Sequence, residues 1–289
     1  MSVIKDRKGH YLTTNESQEV TLGILYKTVP GRMLLKVLTK PALSRVVGCF
    51  LDSFLSTGII NIFLRKSNIK LSDYEKRRYR SYNEFFTRKI RKEKRPISKD
   101  PKVFISPCDS KFSVYEIDGR NVFHIKGSAY TLRDLLDGDE VYKEYEGGYC
   151  MIFRLTIDDY HRYCYIDDGV KGDNYFIPGE LHTVNPIALE HCNIYKRNCR
   201  EYTVLETKNF DKVVQVEVGA MMIGRIINHH GKHAFKRGEE KGMFEFGGST
   251  TVLLVKKGQI QVDEDLLENS KENIETIVKL GERIGYSIK

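Results

Sequence analysis

After Pro96 the chain is written in short runs of β-branched and aromatic residues, broken by Gly, Asp and Asn turns. No other feature constrains its fold as strongly. Strands are predicted at 103–106, 111–117, 122–125, 149–155, 163–166, 169–176, 202–208, 212–218, 221–228, 242–246 and 251–256. Many short strands with turn signals between them imply a largely antiparallel sheet system. Short helices are predicted at 131–136 and 273–283. Before Pro96 the pattern differs. Residues 1–22 are polar and strand-poor, and residues 23–95 read mainly as helices. Ser72-Asp73-Tyr74-Glu75 and Ser81-Tyr82-Asn83-Glu84 each look like helix starts, because a Ser N-cap with Glu three residues later satisfies free backbone N–H groups. The second helix is expected to run to about Arg95, before Pro96. The class is α+β, with a helical layer at 1–95 on a β-rich region at 96–289. A chain of 289 residues can bury a substantial core, and we read one cooperative unit.

The net charge of +8 is unevenly spread. From Lys27 to Arg95 there are 18 Lys/Arg against 5 Asp/Glu, whereas from Asp263 to Lys289 there are 4 against 7. Basic segments bind nucleic acid or anionic membrane. Here their neighbours are aliphatic or Phe, among them Met33, Leu34, Val37, Val46, Phe50, Phe54, Leu55 and Ile62. Cationic helices with an apolar face suit an anionic bilayer surface, and no nucleic-acid-binding signature accompanies them. Residues 42–64 have the length of a membrane span, but Arg45 and Asp52 fall inside it. Mid-bilayer charges cost roughly 2.5–3.5 kcal/mol each, so a position at the interface is expected. Packing of these helices on the protein's own core is the competing expectation. Six cysteines without a CxxC pair suit a reducing, cytoplasmic setting. The start, MSVIKDRKGH, has no apolar signal segment.

The chemistry concentrates at Phe244-Glu245-Phe246-Gly247-Gly248-Ser249-Thr250-Thr251, where one strand enters a glycine turn and another leaves. Two glycines permit positive φ and a tight turn. A Ser after Gly in such a turn can direct its hydroxyl at the Gly carbonyl, which permits an N→O acyl shift. Elimination from the resulting ester would cut the chain and leave residue 249 as a pyruvoyl group, which can condense with an amine and act as an electron sink. An ordinary Gly-Gly hairpin is the plain alternative. Further candidates surround it: Asp109 in Ser106-Pro107-Cys108-Asp109-Ser110, His161 and Arg162 in Asp158-Asp159-Tyr160-His161-Arg162-Tyr163-Cys164, and His182 in Glu180-Leu181-His182-Thr183-Val184-Asn185-Pro186. His229-His230-Gly231-Lys232-His233 has the look of metal ligands. No carboxylate spacing completes it, so it is read as a solvated turn, and no metal is assigned.

Taken together, these segments resemble the phosphatidylserine decarboxylases, over about Tyr82 to Lys257. Asn83-Glu84-Phe85-Phe86-Thr87-Arg88 with Arg95-Pro96-Ile97 looks like the family's N-terminal signature. Lys126-Gly127 with Leu132 and Leu135-Leu136 fits the next segment. Asp159-Tyr160-His161-Arg162 matches an internal run, and Phe246-Gly247-Gly248-Ser249-Thr250 matches the self-cleavage site. The resemblance implies a proenzyme cut between Gly248 and Ser249, with a β chain ending at Gly248 and an α chain starting at residue 249 with a pyruvoyl cofactor. It implies decarboxylation of phosphatidylserine to phosphatidylethanolamine, and a heterodimer of the two chains that can itself pair. It also implies peripheral attachment to the cytoplasmic face of the cell membrane. Asp109 would orient a His base for Ser249, and His161 would serve in proton transfer. The second His of the family's Tyr-His-Arg-x-His pattern is Cys164 here, so His182 or His161 is expected to act as the base. Arg162 would either bind substrate or pair with Asp158 or Asp159. A processing-dead lipid-binding protein and a pyruvoyl decarboxylase of a soluble amino acid derivative are the alternative functions.

Overall fold

Ser249–Val255 is the buried middle of the molecule. The computed structural model describes residues 3–12, 16–67, 69–76, 78–125, 128–185, 194–220, 225–245, 247 and 249–289. In it the strand Ser249–Val255 pairs antiparallel with Lys212–Gly219 on one side and Tyr149–Leu155 on the other. The sheet continues through Arg200–Thr207, Gly169–Lys171 and His233–Phe235 in one direction. In the other it runs through Ser110–Glu116, Ile274–Val278, Val3–Lys5 and Tyr11–Leu12. Among the described strands of this sheet, every pairing is antiparallel except that of Val3–Lys5 with Ile274–Val278. Successive side chains of Ser249–Val255 enter two cores. Val252 and Leu254 pack with Ile152, Val214 and Val216, whereas Leu253 and Val255 pack with Met151, Phe153 and Val213. A strand covered on both faces reads as a continuous apolar run rather than an alternating one. Smaller antiparallel sheets flank it, one of them Ile226–Asn228, Glu240–Phe244 and Arg162–Cys164. The class is α+β with mostly antiparallel sheets, as expected.

Four α-helices follow the first two strands: α1 (Glu16–Lys27), α2 (Val29–Leu38), α3 (Pro41–Asp52) and α4 (Thr57–Lys66). Thr28 caps α2 by accepting the Gly31 N–H at 3.1 Å. A Cβ at Gly31 would come within 2.4 Å of the Ile24 carbonyl, so only glycine lets α1 and α2 approach this closely. Leu51 and Ile60 pack on Tyr82, Phe85 and Phe86 of the short helix Tyr82–Phe86. No single described helix is long and apolar enough to cross a membrane, and the pair Ala42–Asp52 and Phe54–Lys66 bends by 82°.

Several local expectations fail for identifiable reasons. The helix predicted at 273–283 is instead two strands, Ile274–Val278 and Arg283–Ser287. The helix lies earlier, at Glu264–Lys271, and Asn273 at φ 59° turns the chain out of it. Ile274, Thr276 and Val278 then present the β-branched alternation of a strand. Residues 1–22 contain strand pairing at Val3–Lys5, contrary to the strand-poor reading. Ser72 starts no α-helix: Leu71–Asp73 is a single 3₁₀ turn and Tyr74 bridges Ile90. The second start does form, since Ser81 accepts the Glu84 N–H at 3.1 Å, but its helix ends at Phe86. The run 169–176 divides into Gly169–Lys171 and Tyr175–Ile177. Of the run 221–228, Ile226–Asn228 is a strand and 221–224 lie outside the described residues.

Candidate functional site

Ser249 opens the central strand and is almost wholly buried. Its Oγ lies 3.4 Å from Nδ1 of His161, from 88 residues earlier in the chain. The other ring nitrogen, Nε2, lies 3.0 Å from the Thr156 carbonyl. A carbonyl only accepts, so Nε2 carries the proton and Nδ1 is the lone-pair nitrogen that faces the serine hydroxyl. The tautomer follows from this network.

The loop that holds His161 is tightly fastened. Thr156 donates its N–H to Asp159 Oδ2 at 2.7 Å, and its carbonyl accepts the Asp159 N–H at 2.9 Å. Lys111 donates to the same carboxylate at 2.6 Å. Arg88 is buried, and its guanidinium donates to the Asp158 and Asp159 carbonyls at 3.2 and 3.0 Å. Phe86 stacks on the imidazole at 4.0 Å between centroids. The His161 carbonyl accepts the Phe244 N–H at 2.9 Å, which ties this loop to the segment leading into the glycine turn. Burial, then the nearby Arg88 charge, lowers the His161 pKa to about 3. The ring is therefore neutral at every physiological pH. Gly247 lies at φ 142°, in backbone space that favours glycine. Gly248 and Phe246 lie outside the described residues.

The structure distributes the other candidates differently. Among the described residues, Asp109 touches no histidine. Its buried carboxylate forms an ion pair with Arg95, accepts the Leu280 N–H at 2.9 Å and lies 3.6 Å from Lys279. Burial alone would raise its pKa, but Arg95 and Lys279 hold it below the usual carboxylate range. The orienting acceptor on His161 is a backbone carbonyl, not this aspartate. His182 is also engaged elsewhere: Nδ1 meets the Tyr26 hydroxyl of α1 at 3.2 Å and Nε2 meets Glu180 at 2.8 Å. Its link to the serine strand runs through the side-chain amide of Asn198. Asn198 donates to both the His182 and Gly219 carbonyls at 2.8 Å, and Gly219 is the ladder partner of Ser249. His182→Ala is expected to leave chain cutting within about twofold of wild type while loosening α1, because this histidine docks a helix. Time-resolved gels and protease sensitivity around α1 check it, and an uncut variant would overturn it. Arg162 pairs with Glu240 at 2.6 Å and donates to the Thr87 carbonyl at 2.8 Å, rather than pairing with Asp158 or Asp159. Cys164 is buried and its thiol is pushed up to about 12 by that burial, so it offers no base.

Sequence reasoning missed an ion pair behind the serine. Glu217 faces Thr251 across the ladder as Gly219 faces Ser249, so Glu217 lies on the face that carries Ser249. Lys241 donates to it at 2.7 Å, and both side chains are fully buried. Burial pushes Glu217 up and Lys241 down. The signal was a charge inside the apolar run of Lys212–Gly219. Lys241→Met, which strands the carboxylate, is expected to cost about 3–5 kcal/mol, and Lys241→Met with Glu217→Leu to recover most of it. Urea unfolding of the two variants measures this, and equal midpoints for them would contradict it.

A cleft of about 810 Å³ opens between α3 and the segment before Gly247, with Arg45, Phe176, Leu181, Arg225, Ile226 and Glu245 among its walls.

Comparison with known proteins gives the family. The phosphatidylserine decarboxylase family model matches residues 82–286. The chain is 50% identical over 265 residues to phosphatidylserine decarboxylase proenzyme 2 of Clostridium acetobutylicum, covering 91% of each chain. It is 40% identical over 266 residues to the phosphatidylserine decarboxylase proenzyme of Clostridium perfringens, with 90% of each covered. For the proenzyme of Clostridium beijerinckii the identity is 37% over 269 residues, with 91% of each covered.

Proposed function

The chain belongs to the phosphatidylserine decarboxylase family of carboxy-lyases, and on that premise we propose that it is a proenzyme that cuts itself between Gly248 and Ser249 with His161 as the base. The carrying observation is the Ser249 Oγ at 3.4 Å from the unprotonated nitrogen of a buried imidazole. Contacts of this length tighten as a reaction proceeds.

In the proposed sequence, Nδ1 of His161 takes the Ser249 hydroxyl proton as Oγ attacks the Gly248 carbonyl carbon. The Gly248–Ser249 C–N bond breaks, an ester forms, and the nitrogen of residue 249 leaves as a free amine. A proton is then lost from Cα of residue 249 and the Gly248 carboxylate departs from Cβ, which divides the chain. Water replaces the nitrogen, ammonia is released, and residue 249 becomes pyruvoyl. The residues suit this group: a serine follows two glycines, and its side chain is buried against a neutral base. An imidazole with so low a pKa is a weak base, which a single event per chain tolerates. The Thr156 carbonyl holds its tautomer, the part first expected of Asp109.

The pyruvoyl carbonyl, once present, supplies the electrophile and electron sink that loss of carbon dioxide from phosphatidylserine requires. Within this chain, neutral His161 keeps an unprotonated Nδ1 beside residue 249, ready to take up and return a proton there, and Phe86, stacked on the ring, excludes water around it. The cleft beside Glu245 admits the lipid, with Arg45 and Arg225 toward its phosphate and Phe176, Leu181 and Ile226 toward its apolar part. The two chains stay together, because Ser249–Val255 and Ile274–Val278 of the α chain are hydrogen-bonded between strands of the β chain.

The enzyme acts as a peripheral protein on the cytoplasmic face of the cell membrane, in this reading. Phe54 and Leu55, at the bend between α3 and α4, are 78% and 79% exposed, and Met33, Val37 and Val46 are exposed as well. Lys27, Arg32, Lys36 and Lys40 lie among them. Such a surface suits an anionic bilayer. Phe54→Asp with Leu55→Asp is expected to weaken binding to phosphatidylserine vesicles by about tenfold or more, given roughly 1.5–3 kcal/mol per buried side chain. Vesicle flotation at two salt concentrations reads it. Unchanged binding would remove this face from the membrane.

Intact mass under denaturing conditions tests the central proposal. Two chains meeting at Gly248/Ser249, the smaller with a blocked N-terminus, are expected. A lone 33.5 kDa chain in the presence of phosphatidylserine vesicles would favour a lipid-binding protein without processing.

A further inference from the structure

The histidine-rich turn, read from sequence as solvated and without a carboxylate, acquires one from the fold. His230 and His233 lie on the turn into the strand His233–Phe235, and Glu239 precedes the strand Glu240–Phe244. His233 Nε2 is 2.7 Å from Glu239 Oε1, and His230 Nε2 is 3.9 Å from the same oxygen. The two imidazoles lie nearly parallel, 3.9 Å apart at their centroids, so one ring must turn to bring both in-plane lone pairs onto a shared ion. One ligand atom from each of the three residues falls within 4.8 Å of the others.

Two of the atoms that face away from this convergence are already held. His230 Nδ1 meets the Tyr165 hydroxyl at 3.1 Å. Glu239 Oε2 accepts the Lys236 N–H at 2.9 Å. This leaves His230 Nε2 and Glu239 Oε1 pointed inward, with the outer nitrogen and oxygen fixed as second partners fix a metal ligand. A hydrogen bond accounts for His233 and Glu239. It does not account for His230 Nε2, which makes none among the described residues. The cations nearby are engaged: Lys171 donates to the His230 carbonyl at 2.8 Å, Lys236 pairs with Asp168 at 3.1 Å and Lys232 with Asp173 at 3.3 Å. The three side chains are 27–32% exposed, so an ion can enter and keep water.

We propose that His230, His233 and Glu239 bind a divalent transition-metal cation, with zinc the best match to two imidazoles and one carboxylate. Zinc–ligand bonds of about 2.0–2.1 Å in a tetrahedron place ligand atoms roughly 3.3–3.4 Å apart. The His233–Glu239 contact would open by roughly half an ångström, and the His230–Glu239 contact would close by about as much. Water completes the shell. The ion would join an edge strand of the large sheet, paired with Gly169–Lys171, to the start of the strand that leads toward Ser249. Its role is to pin that segment, and it takes no part in the proposed cutting or decarboxylation.

The test uses full-length protein without a histidine tag, loaded with zinc chloride and then passed through metal-free gel filtration. Mass spectrometry of the eluted metal is expected to count one zinc per chain in wild type and in His229→Gln, whose ring faces Glu240 instead. His233→Gln and Glu239→Gln are each expected to lose it, with folding verified by circular dichroism. If the first of these does not fold, the second gives the same reading. Zinc is also expected to raise the melting temperature of wild type and not that of Glu239→Gln. Wild type that retains no zinc and gains no stability from it would overturn the proposal. So would equal retention by the folded variants.

Discussion

Ser249→Ala is expected to accumulate as one uncut chain of 33.5 kDa with no decarboxylase activity. The variant lacks the oxygen that must attack the Gly248 carbonyl and the leaving-group bond that must later break, so no slower route remains. The loss should be chemical rather than structural. Among the described residues Ser249 makes one long side-chain contact, to His161, and its removal costs about 1 kcal/mol or less. The ladder bonds of its strand are main-chain and survive. Denaturing electrophoresis after extended incubation reads the cutting, and thermal unfolding reads the fold. Cutting that persists in Ser249→Ala would place the nucleophile elsewhere, and an unfolded variant would make this strand a structural requirement first.

His161→Gln should slow cutting by about 10²–10⁴-fold, the usual range for removing a general base. The pH dependence separates a base of this kind from an ordinary histidine. Because burial lowers the His161 pKa to about 3, the lone pair on Nδ1 is available from there upward. The rate of cutting in wild type should therefore stay level as the pH falls from 8 to 5. An unshifted imidazole would lose activity around 6.5 instead. A tenfold fall with a midpoint near 6.5 would assign the base to a different histidine. Stability follows the same group. The unfolded chain takes up a proton on this ring as the pH falls through 6.5, and the folded chain refuses it until about 3. The contribution of neutral His161 to stability is thus complete above 6.5 and is lost progressively across that interval. His161→Gln should flatten this part of the acid-unfolding curve.

The legible part of this molecule was what neighbouring residues encode. The strands at 122–125 and 149–155 follow from their β-branched and aromatic runs. The Ser81 cap with Glu84 follows from spacing alone. Family membership followed from ordered motifs along the chain. Local pattern misled where a stop signal outweighed composition: Asn273 in a left-handed conformation ended one helix and began a strand. At Ser72 the capping pattern was present, but pairing of Tyr74 with Ile90 took the backbone instead.

The site divides along the same line. From residue order alone came the turn proposed for cleavage, Ser249 as its proposed nucleophile, and a short set of histidines from which a base could be drawn. Only the tertiary structure showed which of them lies beside Ser249. It brought His161 to Ser249 across 88 residues, gave Asp109 to Arg95, spent His182 on Tyr26 and Glu180, and placed Glu239 beside His230 and His233. The reason is geometric. Local periodicity and turn chemistry depend on residues a few positions apart and are written in the chain. Which side chains meet depends on strand pairing and burial over long separations, and burial also sets whether an imidazole is charged.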